Sequence, residues 1–196
     1  MKYEAIVIGV SAGGMSALST VLSRLPHDFA LPIIIVQHMD ANSHGYLPDH
    51  LDRNCSIRVK EAEEKESIMG GVAYIAPPNY HLLLEEDRTF SLCVDDAVNY
   101  SRPSIDVMFE SAADVYERKL VGVVLTGANS DGSKGLTKIK AMGGLAIVED
   151  PATAHVDYMP KAAIASTKVD HILRLEEIAS LLTELSNSSR ADEMKP

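Results

Sequence analysis

Ala5-Ile6-Val7-Ile8-Gly9-Val10-Ser11-Ala12-Gly13-Gly14 is an apolar run that ends in a glycine-flanked serine, and an amphipathic pattern begins directly after it. β-Branched residues favour a strand over Glu4 to Gly9, Gly9 permits a tight turn, and small residues after Ser11 leave room for a ligand to reach the first amides of a helix. Met15, Leu18, Val21, Leu22 and Leu25 follow at helical spacing, and Pro26 closes the run. The stretch reads as strand, turn and helix, with Ser11 raised at the carboxyl edge of a sheet.

Four further segments read as buried strands: Pro32 to Gln37, Gly71 to Ala76, Leu120 to Thr126 and Leu145 to Glu149. Several are apolar almost throughout, the pattern of strands covered on both faces. Helical spacing recurs between most of them. Ile105, Met108, Ala112 and Val115 form one stripe, with Ser104 as its N-cap, and Leu175, Ile178, Leu181, Leu182 and Leu185 form the last. Alternating strands and helices predict an α/β fold with a doubly wound, mostly parallel sheet flanked by helices. His81 to Leu84 and Thr89 to Val94, joined by Glu85-Glu86-Asp87-Arg88, leave no room for a helix and predict an antiparallel β-hairpin at one edge of the sheet. The domain is expected to occupy residues 1–186, and 187–196 to form a polar tail, frayed from about Ser186.

At 196 residues, 46% hydrophobic and 23% charged, the chain is long enough for one buried core. The formal charge of -10 and the lack of a basic run with interleaved aromatics argue against nucleic acid as a partner. No apolar run approaches the roughly 20 residues of a membrane span, and the start has no secretory signal, so no membrane insertion is expected and the location is expected to be cytoplasmic. Cys55 and Cys93 read as plain thiols, and no spacing of His, Cys or acidic residues indicates a metal. His44 and His50 fall in a polar, helical connection, and these two together with His81, His155 and His171 read as structural or surface residues. Met15 and Met108 fall on core-facing positions, and the acidic run Glu61 to Glu66 reads as a solvated loop.

Three polar residues end three of the predicted strands: Ser11, His38 after Pro32 to Gln37, and Asp131 in Thr126-Gly127-Ala128-Asn129-Ser130-Asp131-Gly132. A parallel sheet gathers all three on one rim. Serine is a weak nucleophile near neutral pH unless an imidazole takes its proton and a carboxylate fixes the imidazole's tautomer. Ser11, His38 and Asp131 supply those parts. The glycine-rich turns aim backbone N–H groups at a developing oxyanion, about 3 to 4 kcal/mol per donor, with Ala12 and Ala128 as the candidate amides. Taken singly, each side chain has a plainer reading: Ser11 as an N-cap, His38 as a structural hydrogen-bonding group, Asp131 as a cap on a helix starting near Ser133. Their joint placement favours chemistry.

The order and identity of several motifs resemble one known family. Ile8-Gly9-Val10-Ser11-Ala12-Gly13-Gly14, Val36-Gln37-His38-Met39, Tyr74-Ile75-Ala76-Pro77, Ser101-Arg102-Pro103-Ser104-Ile105-Asp106-Val107-Met108-Phe109, Leu125-Thr126-Gly127, Asp131-Gly132, and Glu149-Asp150-Pro151-Ala152-Thr153-Ala154 with Met159-Pro160 are similar to the catalytic domain of the CheB-type protein-glutamate methylesterases of bacterial chemotaxis, over about Val7 to Leu182. The resemblance implies a serine catalytic triad: Ser11 as nucleophile, His38 as general base then acid, Asp131 as the orienting carboxylate. It implies a hydrolase that demethylates glutamate γ-methyl esters on the cytoplasmic helices of a methyl-accepting chemotaxis receptor or related signalling protein, releasing methanol, with deamidation of receptor glutamines as a related reaction and no cofactor. Arg102 is expected to face acidic receptor segments.

Two departures from the family stand out. Its members usually carry an amino-terminal receiver domain that gates the site, whereas here the first strand starts within a few residues of Met1, so control is expected from a separate receiver or kinase partner. Ala128-Asn129-Ser130 stands where the family more often has a methionine, a glycine and a variable residue, and Ala12 replaces a frequent threonine. Three other readings remain: a small-molecule esterase, a dinucleotide-binding module, and a signalling scaffold with the same fold. The order Ser, His, Asp differs from α/β-hydrolase esterases, Gly9-x-Ser11-x-x-Gly14 lacks the middle glycine of a dinucleotide fingerprint, and an intact triad disfavours a mere scaffold.

Overall fold

The computed structural model describes residues 3–39 and 46–193. Seven parallel strands form one sheet: β1 (Ala5–Val10), β2 (Ile33–Gln37), β3 (Arg58–Glu61), β4 (Val72–Ile75), β7 (Leu120–Val124), β8 (Leu145–Glu149) and β9 (His171–Leu173). Their spatial order is β3-β4-β2-β1-β7-β8-β9. The chain builds outward from β1 in one direction, then returns beside it to build the other way, so the topology switches between β1 and β7. In open α/β sheets ligands bind at the strand carboxyl ends near that point. β5 (His81–Leu84) and β6 (Phe90–Cys93) pair antiparallel as a sheet of their own.

Side chains of β1 alternate between two cores. Ile6, Ile8 and Val10 face one that also contains Leu18, Val21 and Leu22 of α1 (Gly14–Leu22), Leu47 and Leu51 of α2 (Tyr46–Asn54), and Ile178 and Leu182 of α6 (Leu175–Glu193). Ala5 and Val7 face the other, with Ile105, Met108 and Phe109 of α3 (Ile105–Tyr116), Leu136 and Ile139 of α4 (Ser133–Ala141), and Met159 and Ala163 of α5 (Tyr158–Ser166). The hairpin joins this second layer through Leu82, Leu84 and Phe90, and the Ser111 hydroxyl of α3 accepts the Leu84 N–H at 3.1 Å. The predicted α/β architecture is therefore present, with the hairpin packed on α3 and adding no strand to the seven.

Three local expectations differ. Residues 186–193 continue α6 instead of fraying: Ser186 Oγ accepts the Ala30 N–H at 2.9 Å, and Ser189 Oγ both accepts from and donates to the Tyr3 backbone. Small hydroxyl side chains read as tail composition, yet their size lets the helix lie close to these loops. Met15 is 41% exposed because the first turn of α1 opens onto a surface groove, whereas Met108 is buried as expected. The acidic run is half structured, since Glu61 ends β3, Ala62 is buried, and Lys60 pairs with Glu63 and Glu66. His44 lies outside the described residues. Among the described residues no helix is long and apolar enough to cross a membrane.

Gly9 lets α3 approach the sheet. A Cβ there would lie 2.3 Å from Ile105 Cγ2, and Ile105 is fully buried. Gly9→Ala must therefore push the start of α3 outward, and overpacking of this kind typically costs about 1–3 kcal/mol. Thermal unfolding should show a lowered Tm for that variant; an unchanged Tm would mean that the helix start yields freely.

Candidate active site

The ends of β1, β2 and β7 deliver Ser11, His38 and Asp131 to one rim, as the strand-end reading predicts. His38 Nδ1 is 3.2 Å from Ser11 Oγ, and His38 Nε2 is 2.8 Å from Asp131 Oδ2. An ionised carboxylate only accepts, so the ring proton belongs on Nε2 and the Nδ1 lone pair faces the serine hydroxyl. The three side chains thus form a continuous path for a proton to leave Ser11.

Asp131 is fully buried, which needs an explanation. Its carboxylate accepts from the Ile105 N–H at 2.7 Å, the Asp106 N–H at 3.1 Å, the Ser104 hydroxyl at 2.9 Å, Asn99 Nδ2 at 2.9 Å and the Gly132 N–H at 3.2 Å, besides His38. Burial by itself raises the carboxyl, but the donors from His38, Asn99, Ile105 and Asp106 outweigh it and hold Asp131 below the usual carboxylate range. Asp131 caps α3, not α4, for which Gly132 is the N-cap residue without a side-chain bond. Ser104 is the N-cap residue of α3, but its hydroxyl serves Asp131 instead of its own helix. A second carboxylate, Asp106, shares Asn99 and accepts the Gly135 N–H. Burial, abetted by the charge of Asp131, pushes Asp106 up. The two neighbouring carboxyls are thus shifted in opposite directions, and the lowered one is the member that faces histidine.

Ser11 is held through its backbone. Its N–H donates to the Thr126 carbonyl at 2.9 Å, and Gln37 Nε2 donates to the carbonyls of both Ser11 and His38, at 2.9 and 2.8 Å, so one carboxamide ties the two turns together. A Cβ on Gly14 would fall 1.7 Å from Gln37 Oε1, so only glycine admits this side chain. Thr126 donates its hydroxyl to the Ala12 carbonyl at 2.7 Å and its N–H to Glu149 Oε2 at 2.8 Å. The Ala12 and Ala128 residues are exposed at the rim, and neither amide donates to an acceptor among the described residues. Asn99, Gln37, Asp106 and Glu149 were not singled out from sequence. Gln37, Asp106 and Glu149 lie within the family-like motifs, but nothing local in them announces a contact formed in three dimensions.

A groove of about 1100 Å³ opens beside Ser11, lined among others by Met15, Met39, Tyr46, Leu47, Glu149, His155 and Leu175. A smaller recess of about 430 Å³ lies on the His38 side, between Asn79, Tyr100 and Arg102. Arg102 donates to Asn79 Oδ1 and to the carbonyls of Val94 and Asp95, so it clasps the loop that forms the recess wall. His50, stacked on Tyr46, and His155 line the groove; His81 is buried between Asp96 and Ser104; His171 is exposed. Cys55 and Cys93 are free thiols, and burial pushes Cys55 up to about 11.

Glu149 is 1% exposed, and burial pushes its carboxyl up to about 7, with Asp150 and Glu176 adding to the rise against the Thr126 N–H. A raised acid binds its proton more tightly folded than unfolded. Its stabilising contribution is complete below the unfolded value of 4.5 and is lost as pH rises through about 7. At about 1.4 kcal/mol per pH unit the full span is about 3 kcal/mol. Glu149→Gln keeps an acceptor for Thr126 without the charge. Denaturant unfolding should show this variant gaining on the wild type between pH 5 and pH 8 by up to that amount; a gap independent of pH would refute the assignment.

The molecule is thus a doubly wound α/β protein with a Ser–His–Asp constellation at its topological switch point. Residues 6–182 match the family described as CheB methylesterase. The chain belongs to that family. It is 58% identical over 189 residues to a Leptospira interrogans protein provisionally named a protein-glutamate methylesterase/protein-glutamine glutaminase, covering 96% of this chain and 98% of that one. A Thermotoga maritima protein-glutamate methylesterase/protein-glutamine glutaminase is 39% identical over 183 residues, which are 92% of this chain but 53% of that protein. The crystal structure of the Thermotoga maritima CheB methylesterase catalytic domain superposes with a TM-score of 0.90 at 38% identity, over 94% of this chain and all of that one.

Proposed function

We propose that the protein is a serine hydrolase that demethylates glutamate γ-methyl esters on the cytoplasmic helices of a chemoreceptor or related signalling protein. The observation that carries this reading is the unbroken Ser11–His38–Asp131 chain, with contacts of 3.2 and 2.8 Å. Ser11 Oγ attacks the ester carbonyl as its proton passes to His38 Nδ1, while the amides of Ala12 and Ala128 receive the oxyanion. Collapse expels methanol, protonated by His38, and leaves an acyl-enzyme. Water, deprotonated by the same nitrogen, then releases glutamate. A receptor glutamine entering this sequence loses ammonia in place of methanol, which gives deamidation by the same residues. No step calls for a metal or an organic cofactor.

The partner is a receptor helix laid across the rim, its apolar side chains in the groove of Met15, Leu47 and Leu175 and its acidic positions toward Arg102, whose charge remains on the recess wall although its donors are engaged. Such a substrate places the enzyme in the cytoplasm. The test pairs two readouts on the wild type: methanol from a receptor fragment bearing γ-methyl glutamates, and covalent capture by a fluorophosphonate mapped by peptide mass. Methanol release with the probe on Ser11 is expected. Methanol without capture at Ser11 would overturn the serine mechanism, and capture without methanol from any methylated receptor would point to a small-molecule ester as substrate.

A further inference from the structure

Asn129 stands beside the reacting atoms with no part in the scheme above. Its Oδ1 accepts the Asp131 N–H at 3.1 Å, which fixes the orientation of the carboxamide and turns Nδ2 toward His38 Nδ1, 3.5 Å away. The same nitrogen lies 3.2 Å from Ser11 Oγ. In the free enzyme one imidazole lone pair therefore faces two donors, the serine hydroxyl and the Asn129 N–H.

That arrangement cannot survive the proton transfer. Once the Ser11 proton sits on Nδ1, this nitrogen is itself a donor, and the Asn129 N–H has lost its acceptor. The new acceptor formed in the same step is the oxygen of the attacked carbonyl, which takes up the carbonyl π pair as the Oγ–C bond forms. We propose that the Asn129 carboxamide moves its hydrogen bond from His38 Nδ1 to the oxyanion and is a side-chain member of the oxyanion hole. The switch makes the interaction strong only when the oxyanion exists, which is the condition for raising turnover and not merely substrate affinity. On collapse of the intermediate the pair returns to the carbonyl, the leaving oxygen takes the proton from Nδ1, and Asn129 regains its former acceptor. The inference rests on Ser11 as nucleophile.

The test uses Asn129→Ala and Asn129→Asp. The aspartate keeps an acceptor for the Asp131 N–H but has no Nδ2 donor, so it separates loop support from oxyanion binding. Loss of one such donor typically costs about 10²- to 10³-fold in kcat. Both variants should lose at least about 10²-fold in kcat on methylated receptor with KM little changed, and an alkyl boronate, which forms a tetrahedral adduct on serine, should bind correspondingly more weakly. Turnover within about threefold of wild type in either variant would overturn the proposal, as would a fall in kcat with boronate affinity unchanged. Ser11→Ala run in parallel keeps the two claims apart, because its loss of activity beside active Asn129 variants removes only the role of Asn129.

Discussion

Ser11→Ala is expected to abolish methanol release from methylated receptor almost entirely, with turnover falling by up to about 10⁶-fold, the scale reached when a triad nucleophile is removed. The substitution deletes one oxygen. Ser11's backbone bonds to Thr126 and Gln37, and the His38–Asp131 contact, do not involve that oxygen. The fold should persist, and thermal unfolding beside the rate measurement separates lost chemistry from lost structure. Members of a triad act as a unit, so adding His38→Ala to Ser11→Ala should slow the enzyme little further. Activity left in the double variant would then measure what positioning and oxyanion donors achieve without a nucleophile. Retention of more than about a hundredth of wild-type turnover by Ser11→Ala would mean that water attacks directly, and the covalent mechanism would fall.

The central strands were legible because burial on both faces leaves a continuous apolar signature, and this holds for β1, β2, β4, β7 and β8. β3 and β9 escaped notice for the complementary reason. They are the sheet edges: Arg58 is exposed, β9 has three residues, and Ile172 is 47% exposed, so neither carries a continuous run. The hairpin announced itself through its turn, but where it packs depends on Leu82, Leu84 and Phe90 meeting α3, which no local pattern encodes.

The convergence of Ser11, His38 and Asp131 follows from topology: parallel strands place all their carboxyl ends on one side, so polar residues at those ends must be neighbours. Their supporting groups follow no such rule. Asn99 reaches Asp131 from a turn in which Asn99 and Tyr100 both adopt positive φ, and Gln37 reads as the last residue of a strand until its carboxamide is seen bridging two turns. Ser104 shows the limit of a correct local signal, since the cap position was identified and the hydroxyl's partner was not.

Asp131→Asn carries the second large effect. Among the described residues every hydrogen-bond partner of this carboxylate is a donor: His38 Nε2, the amides of Ile105, Asp106 and Gly132, the Ser104 hydroxyl and Asn99 Nδ2. An asparagine must turn its own N–H₂ toward one of them. If the amino group meets His38, the imidazole is driven to the tautomer protonated on Nδ1, which cannot accept from Ser11, and turnover should fall about 10⁴-fold, as in triads generally. If it meets the start of α3 instead, buried donors lose their acceptor, which typically costs about 1–3 kcal/mol. The stability difference has a definite pH signature. A carboxyl held below its unfolded value of 3.8 stabilises the fold at all pH values above that, and the contribution disappears as pH falls through the folded value. The gap between wild type and variant should accordingly be level from about pH 8 to pH 5 and narrow progressively as pH falls below 3.8 toward the folded value. Methanol release measures the first effect and denaturant unfolding at pH 7 and about pH 2 the second. Turnover within tenfold of wild type, together with a gap that persists in acid, would show that Asp131 neither orients His38 nor is ionised in the folded protein.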